Sequence, residues 1–100
     1  MSEYRLSSAA ISDIREIRQY SKQRFGVAAT ASYIHGLEAT LDMLATRPSA
    51  GKNESKLGYD GRSFRYKSHR IYFRVAAPMI EVLRILHHAR DAFNTYDQQQ

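Results

Sequence analysis

The sequence predicts an α+β domain: a short N-terminal strand, then a helical hairpin packed on one face of an antiparallel sheet, in the order β-α-α-β-β-β. Three observations carry this. Two long segments in the first half repeat apolar residues every three or four positions, over roughly residues 8–24 and 27–46. Three strand-like runs follow in the second half, at 62–67, 70–76 and 79–87. The links within each half are short, which makes neighbouring elements antiparallel.

Tyr4-Arg5-Leu6 opens the chain as a short β-like run. Ser7 and Ser8 follow, and either can cap a helix by accepting hydrogen bonds from its free N–H groups. Ile11, Ile14, Ile17 and Ser21, joined by Ala10, form the apolar face of the first helix. Asp13, Arg15, Glu16, Arg18 and Lys22 fill its other side. Phe25-Gly26 ends this helix, because Gly takes the left-handed backbone a helix stop needs. The second helix carries the stripe Ala31, Ile34, Leu37, Leu41, Leu44 and Ala45. Pro48 stops it by lacking an N–H and disfavouring helix at Arg47.

Residues 49–61 read as a loop, rich in Gly, Ser, Asn and Asp. In the first strand Phe64 and Tyr66 alternate with Ser63, Arg65 and Lys67. In the second Ile71, Phe73 and Val75 alternate with Arg70, Tyr72 and Arg74. Period-2 alternation predicts one buried face and one wet face of arginine and tyrosine. Ser68-His69 and Ala77-Pro78 are read as the turns. The third run, MIEVLRILH, is more continuously apolar and reads as an inner strand, with a helix as the other reading. The tail has one spaced aromatic pair, Phe93 and Tyr96, which either packs on the parent sheet or docks on a partner.

With 100 residues, 43% hydrophobic and 25% charged, the composition is that of one globular domain. We read residues 1–91 as that domain and 92–100 as a C-terminal tail. No cysteine is present, so disulfides and Cys-based zinc sites are excluded, and a reducing compartment fits. No apolar run approaches membrane-spanning length and MSEYRLSS has no apolar leader core, so a soluble, cytoplasmic protein without membrane contact is expected. Charge is concentrated: residues 47–74 hold eight Lys/Arg against two Asp/Glu, a net +6, while the remainder holds seven against eight, a net −1. Such a field attracts nucleic acid or an acidic protein.

Order and spacing together are similar to a known family. Tyr4-x-Leu6-Ser7-x-x-Ala10-x-x-Asp13-Ile14-x-x-Ile17-x-x-Tyr20, then Phe25-Gly26, resembles the opening of ParE-type toxins of the RelE/ParE superfamily. The likeness continues through Leu44-Ala45-x-x-Pro48-x-x-Gly51. It is densest in Gly61-Arg62-Ser63-Phe64-Arg65, in Ser68-His69-Arg70-Ile71-Tyr72-Phe73-Arg74-Val75 and in Ile85-Leu86-His87-His88-Ala89-Arg90-Asp91. The resemblance spans roughly residues 4–91. It implies the toxin of a type II toxin–antitoxin module, of a kind associated with plasmid stabilisation, with a RelE/ParE-like fold. It further implies DNA gyrase as a target inhibited by binding, and a ParD-like antitoxin whose acidic C-terminal segment wraps the toxin as a hetero-oligomer. Direct nucleic-acid binding and a cofactor are not expected. Composition adds only compatibility, since a +6 segment suits an acidic peptide.

The alternative is a RelE-like ribosome-dependent mRNA interferase. Cleavage through a 2′-OH needs a base, an acid and cations around the phosphate. Glu54 is the candidate base, His87 or His88 the acid, and Arg70, Arg74 and Lys52 the clamps. Some RelE-type RNases carry a functional Arg and His near the places of Arg70 and His88, but often with Tyr after the His, where this chain has Ala89. A third reading is a binding module without toxicity.

Each candidate also has a plainer role. His69 caps its hairpin turn, His87 ends a strand as a core or partner contact, and Glu54 is solvated in its loop. His87 and His88 point to opposite faces of a strand and so do not share a metal, and no metal site is expected. Arg62, Arg65, Arg70 and Arg74 are assigned to antitoxin or target contact, with Tyr72 stacking on a guanidinium. His87, Phe93 and Tyr96 join this contact set. Removing residues 92–100 is expected to leave the fold intact but weaken inhibition of the target; full killing by the truncated chain would exclude a role for the tail.

Overall fold

The computed structural model describes residues 3–88. Strand β1 (Glu3–Leu6) leads into helix α1 (Ser8–Phe25) and helix α2 (Val27–Thr46). Residues 49–61, read as loop, contain more order than that. A 3-10 turn at Pro48–Ala50, a two-residue strand β2 (Lys52–Asn53) and a second 3-10 turn at Ser55–Leu57 precede β3 (Gly61–Tyr66), β4 (His69–Ala76) and β5 (Met79–His87). The sheet order is β1-β5-β4-β3-β2, so the third apolar run is indeed an inner strand.

The sheet is not antiparallel throughout. β1 lies parallel to β5, with Tyr4 opposite Ile80 and Leu6 opposite Val82. The hairpin and three further strands form the long crossover that a parallel pair requires. β4 and β5 pair antiparallel with a bulge: Tyr72 faces Arg84 and Phe73 faces Val82, leaving Leu83 as the extra residue. The bulge puts both Val82 and Ile85 into the core, which accounts for the continuous apolar run.

The helix faces are rotated from the sequence reading. Ser7 caps α1, its Oγ accepting from the Ala10 N–H at 3.0 Å. The buried line is then Ala10, Asp13, Ile17 and Ser21, while Ile11 is 44% exposed. At about 100° per residue, position 11 lies a quarter-turn off that line. The same offset exposes Ala31 and buries Thr30 in α2. Thr30 Oγ1 donates to Ser21 Oγ at 2.9 Å, joining the two helices near their one-residue link. That link, Gly26, has φ +90°, a conformation a side chain would strain.

The core lies between the hairpin and one face of the sheet. Leu37, Leu41 and Leu44 of α2 meet Ile71 and Phe73 of β4 and Ile80, Val82 and Ile85 of β5. Burial of each such side chain contributes about 1.5–3 kcal/mol. The opposite face is not fully wet as expected. Tyr72 is only 4% exposed, covered with Leu86 by Leu57 from the second 3-10 turn.

β1 is too short to cover β5, and the start of α1 takes over. Ser7 N–H donates to Val82 O at 3.0 Å, and Ser7 Oγ to Leu83 O at 2.8 Å. Asp13 Oδ2 then accepts the Ile85 N–H at 2.9 Å. Arg84 donates to both Asp13 oxygens, through Nε at 2.9 Å and Nη2 at 3.0 Å. A carboxylate placed with the polar side of α1 by the sequence is thus the buried cap of a strand edge. Asp13→Ala is expected to lower stability by about 2–4 kcal/mol, since it strands a buried N–H and breaks a part-buried ion pair. Asp13→Asn keeps an acceptor for Ile85 and should lose less. The check is the urea midpoint at unchanged m-value, and an unmoved midpoint would refute the cap.

Candidate functional site

Strand register defines a basic outer face. Residues directly opposite one another share a face, so three rows cross it. Arg5, Glu81 and Arg74 form one row, Arg84, Tyr72, Ser63 and Lys52 the next, and Leu86, Arg70 and Arg65 the last. Arg70 Nη1 donates to Ser63 Oγ at 3.0 Å. Arg65, exposed and directly opposite Arg70, donates through Nε to Lys67 O at 2.9 Å. Arg74 Nη2 donates to Leu57 O at 3.0 Å, and its Nη1 lies 3.8 Å from Glu81 Oε1. Arg5 approaches the same carboxylate at 3.9 Å. These long, half-wet ion pairs contribute little to stability, so the surface remains positive.

Two residues of the expected contact set are placed differently from the rest. Arg62 has the parity of Phe64 and lies on the helix side, where Nη1 donates to Gly51 O at 3.2 Å. Its Nε is buried without a hydrogen-bond partner among the described residues. Tyr72 is on the outer face but only 4% exposed, packed with Leu86 and Leu57.

The cleavage set is not assembled. Glu54 is not a solvated loop residue: its side chain is 13% exposed and lies 3.6 Å from Lys52 Nζ. Its N–H bonds Gly61 O, at the start of β3. His88 N–H bonds Ser68 O, just past the other end of β3. At about 3.3 Å per residue, the length of β3 separates the candidate base from the candidate acid.

A second surface, an open groove of about 740 Å³, runs between the helical hairpin and the far end of β5. Ile17, Tyr20, Phe25 and Ala29 form its helical wall. Ile85, Leu86 and His87 supply β5, and Ser68 and His69 the β3–β4 turn region. Tyr20 and Phe25 are 58% and 66% exposed. Neither was singled out as a contact, although both are apolar residues off the inner stripe of α1.

An aromatic and histidine cluster closes one end of the groove. The turn is Lys67-Ser68 rather than Ser68-His69, with Lys67 at φ +49°. His69 therefore opens β4 instead of capping the turn, and its Nδ1 lies 2.6 Å from Tyr33 Oη. Burial, then the neighbouring His87 and His88, push His69 down to about 4. Burial raises Tyr33 despite hydrogen bonds from Ser68. Both groups are thus neutral near pH 7, and one hydrogen bond joins the Tyr33 hydroxyl to Nδ1. Tyr66 Oη donates to Tyr33 O at 2.8 Å, its hydroxyl pressed against Gly36, where no side chain fits. Lys67 Nζ sits 5.7 and 5.5 Å from the centroids of the Tyr33 and Tyr66 rings.

His87 lies on the same face as His69, with ring centroids 5.5 Å apart. His88 does not point oppositely as expected. The strand ends at His87, so alternation no longer applies, and the His87 and His88 rings lie 4.4 Å apart. Among the described residues no group of three or more His, Cys, Asp or Glu could hold a metal ion, and no helix is long and apolar enough to cross a membrane. Phe93 and Tyr96 lie outside the described residues.

His69 makes stability pH-dependent. Its folded value lies below the unfolded 6.5, so the unfolded chain binds more protons as pH falls, and stability drops between about 6.5 and 4. After solvent screening the loss is on the order of 1–2 kcal/mol. His69→Gln should flatten urea midpoints across this window; an unchanged slope would refute the assignment.

The geometry can be set beside known proteins. The sequence profile of the family described as "ParE toxin of type II toxin-antitoxin system, parDE" matches residues 4–92. "Toxin ParE1" of Caulobacter vibrioides is 37% identical over 92 residues, covering 92% of this chain and 95% of that protein. "Toxin ParE1" of Mycobacterium tuberculosis is 33% identical over 93 residues, covering 90% and 93%. In fold, the chain is similar to a chain of the chromosomal ParDE toxin–antitoxin system from P. aeruginosa, with a TM-score of 0.72, 17% identity and coverage of 87% and 96%. It is also similar to a chain of the RelBE2 toxin–antitoxin complex from M. tuberculosis, with a TM-score of 0.58, 19% identity and coverage of 87% and 98%. The profile match and the ParE1 relatives, each spanning nearly the whole chain, place this protein in the ParE toxin family of type II toxin–antitoxin systems.

Proposed function

We propose that this ParE-family toxin acts by binding rather than by breaking bonds, that DNA gyrase is its target, and that an acidic segment of a ParD-like antitoxin silences it. The observation that carries the reading is the disposition of charge. Arg5, Arg65, Arg70, Arg74 and Lys52 share one sheet face, where the acidic neighbours are Glu81, between Arg5 and Arg74, and Glu54, beside Lys52. A row of carboxylates gains from every cation on such a face, and like charges brought together cease to repel once it docks. Arg65, Arg70 and Arg74 are assigned to this contact, with His87 at the groove as a separate one. Separation of Glu54 from His88 along β3 supports recognition over hydrolysis.

Supercoiling by purified gyrase is expected to fall on addition of the chain, with trapped cleavage complexes. Arg65→Glu, at an exposed position, is expected to weaken binding of the antitoxin segment about 10- to 100-fold, less so at high salt. Unaffected gyrase together with transcripts cut on ribosomes, lost in Arg70→Ala and His88→Ala, would replace this reading with an mRNA interferase. Silence in both assays would leave a binding module without toxicity.

A further inference from the structure

Among the large apolar side chains of the described residues, Tyr59 is the most exposed, at 90%. It stands at the tip of the turn at 58–61, where the Gly61 N–H donates to Gly58 O at 3.1 Å. A single exposed apolar residue is ordinary on a protein surface. The backbone that carries this one is not a loose loop. Gly58 N–H donates to Ser55 O at 3.0 Å, Glu54 N–H to Gly61 O at 2.8 Å, and Val75 N–H to Asp60 O at 3.1 Å. Gly58 and Asp60 take φ +95° and +60°, the left-handed backbone that sharp turns use. Gly61 has no room for a side chain, because a Cβ there would collide with Leu57 and the Glu54 carbonyl. Fixing a backbone in this way costs conformational entropy, yet the ring it holds stays in water and adds nothing to the core.

The turn leaves from the basic outer face. Leu57, two residues before Tyr59, packs on Tyr72 and Leu86 of that face. Gly61, two residues after it, lies opposite Arg74. Arg74 Nη2 donates to Leu57 O at 3.0 Å, and its side chain is still 42% exposed. Lys52 and Lys56 are exposed on the same segment. The acids nearby are Glu54 beside Lys52, Glu81 between Arg5 and Arg74, and Asp60 on the turn itself.

From these observations we propose that Tyr59 is the apolar anchor of the outer-face contact, receiving an aliphatic or aromatic side chain of an acidic peptide whose carboxylates lie on Arg74 and the cations beyond it. The inference rests on the proposed docking of an acidic segment on this face, and it adds what sets the position of that segment. Charge alone does not set it. A chain of carboxylates that slides by one step along rows of cations exchanges one ion pair for another. A side chain seated on a fixed ring removes that freedom, and desolvated aromatic contacts carry a large share of the energy of an interface. Because the backbone under the ring is already ordered, little entropy is lost on docking. Arg74 is bonded to the carbonyl two residues before Tyr59, so the peptide should carry a carboxylate within about two residues, or about 7 Å, of its apolar residue.

The test uses the full chain, which has no tryptophan, so Tyr59→Trp places a single fluorophore at the tip of the turn. The probe is a short labelled peptide of glutamate and serine with one central leucine, set against the same peptide with glycine for leucine. The leucine peptide is expected to shift the tryptophan emission to the blue. By anisotropy it should bind the unsubstituted chain about 10-fold more tightly than the glycine peptide. That gap should close in Tyr59→Ser, whose urea midpoint should match that of the unsubstituted chain, since the side chain is exposed. Equal affinity of the two peptides for the unsubstituted chain, or a gap that survives Tyr59→Ser, would overturn the anchor. If binding of both peptides still weakens in Arg65→Glu, the acidic-segment reading of the face outlives that failure. Binding of neither peptide would end both readings. Quenching of the tryptophan by a thymidine oligonucleotide, with no response to either peptide, would overturn the proposal in favour of nucleic acid.

Discussion

The Asp13 carboxylate joins the two layers of the molecule at the place where backbone pairing stops. β5 is nine residues long and β1 only four, so half of the outer edge of β5 has no strand beside it. An open edge would be a template for any extended chain. Ser7 and Asp13 occupy it instead, and Arg84 clamps the carboxylate from the sheet side. Because Ile17, Tyr20 and Ser21 follow Asp13 on α1, the clamp also sets the spacing between that helix and the end of β5. The width of the groove follows from it.

The sheet has two unlike sides for a reason visible in its registers. On the helix side, Phe73, Val82 and Ile85 join side chains of α1 and α2 in one apolar core. On the other side, arginines share the face with a thin apolar patch of Tyr72, Leu86 and Leu57. Such side chains cover apolar surface with their stems while the heads stay hydrated. The outer face is therefore both a lid on a minor cluster and a charged surface, and the two roles do not compete.

Much of the fold was legible in the residues. Helical periodicity located α1 and α2, and alternation located β3 and β4, because those patterns follow directly from which face is buried. A serine cap, at Ser7 or Ser8, and the stop at Gly26 were readable from local backbone chemistry, and the structure chooses Ser7. The parallel partner of β1 was not, since a three-residue β-like run carries no sign of its neighbour. The role of Asp13 was hidden because its partners lie 71 and 72 positions away. Tyr72 was assigned correctly to a face, but alternation says nothing of what folds over that face, and Leu57 came from a segment whose composition reads as loop. Arg62 is different: its parity with Phe64 already separated it from Arg65, and grouping by charge concealed that. For the site, the outer cations were legible as a cluster, whereas the groove was not, because it arises where three distant segments converge.

The pairing of β1 with β5 has a consequence for how the molecule comes into being. Hairpins such as α1–α2 and β3–β4 can close as soon as they leave the ribosome, since their contacts are local. The first strand must wait for a partner about 75 residues later in the chain, and at 5–20 residues per second that is a delay of roughly 4–15 s. Through that interval the apolar underside of the helices has no sheet centre to rest on. The apolar face of the helices is thus covered in full, and the five-stranded surface complete, only once the last strand has arrived.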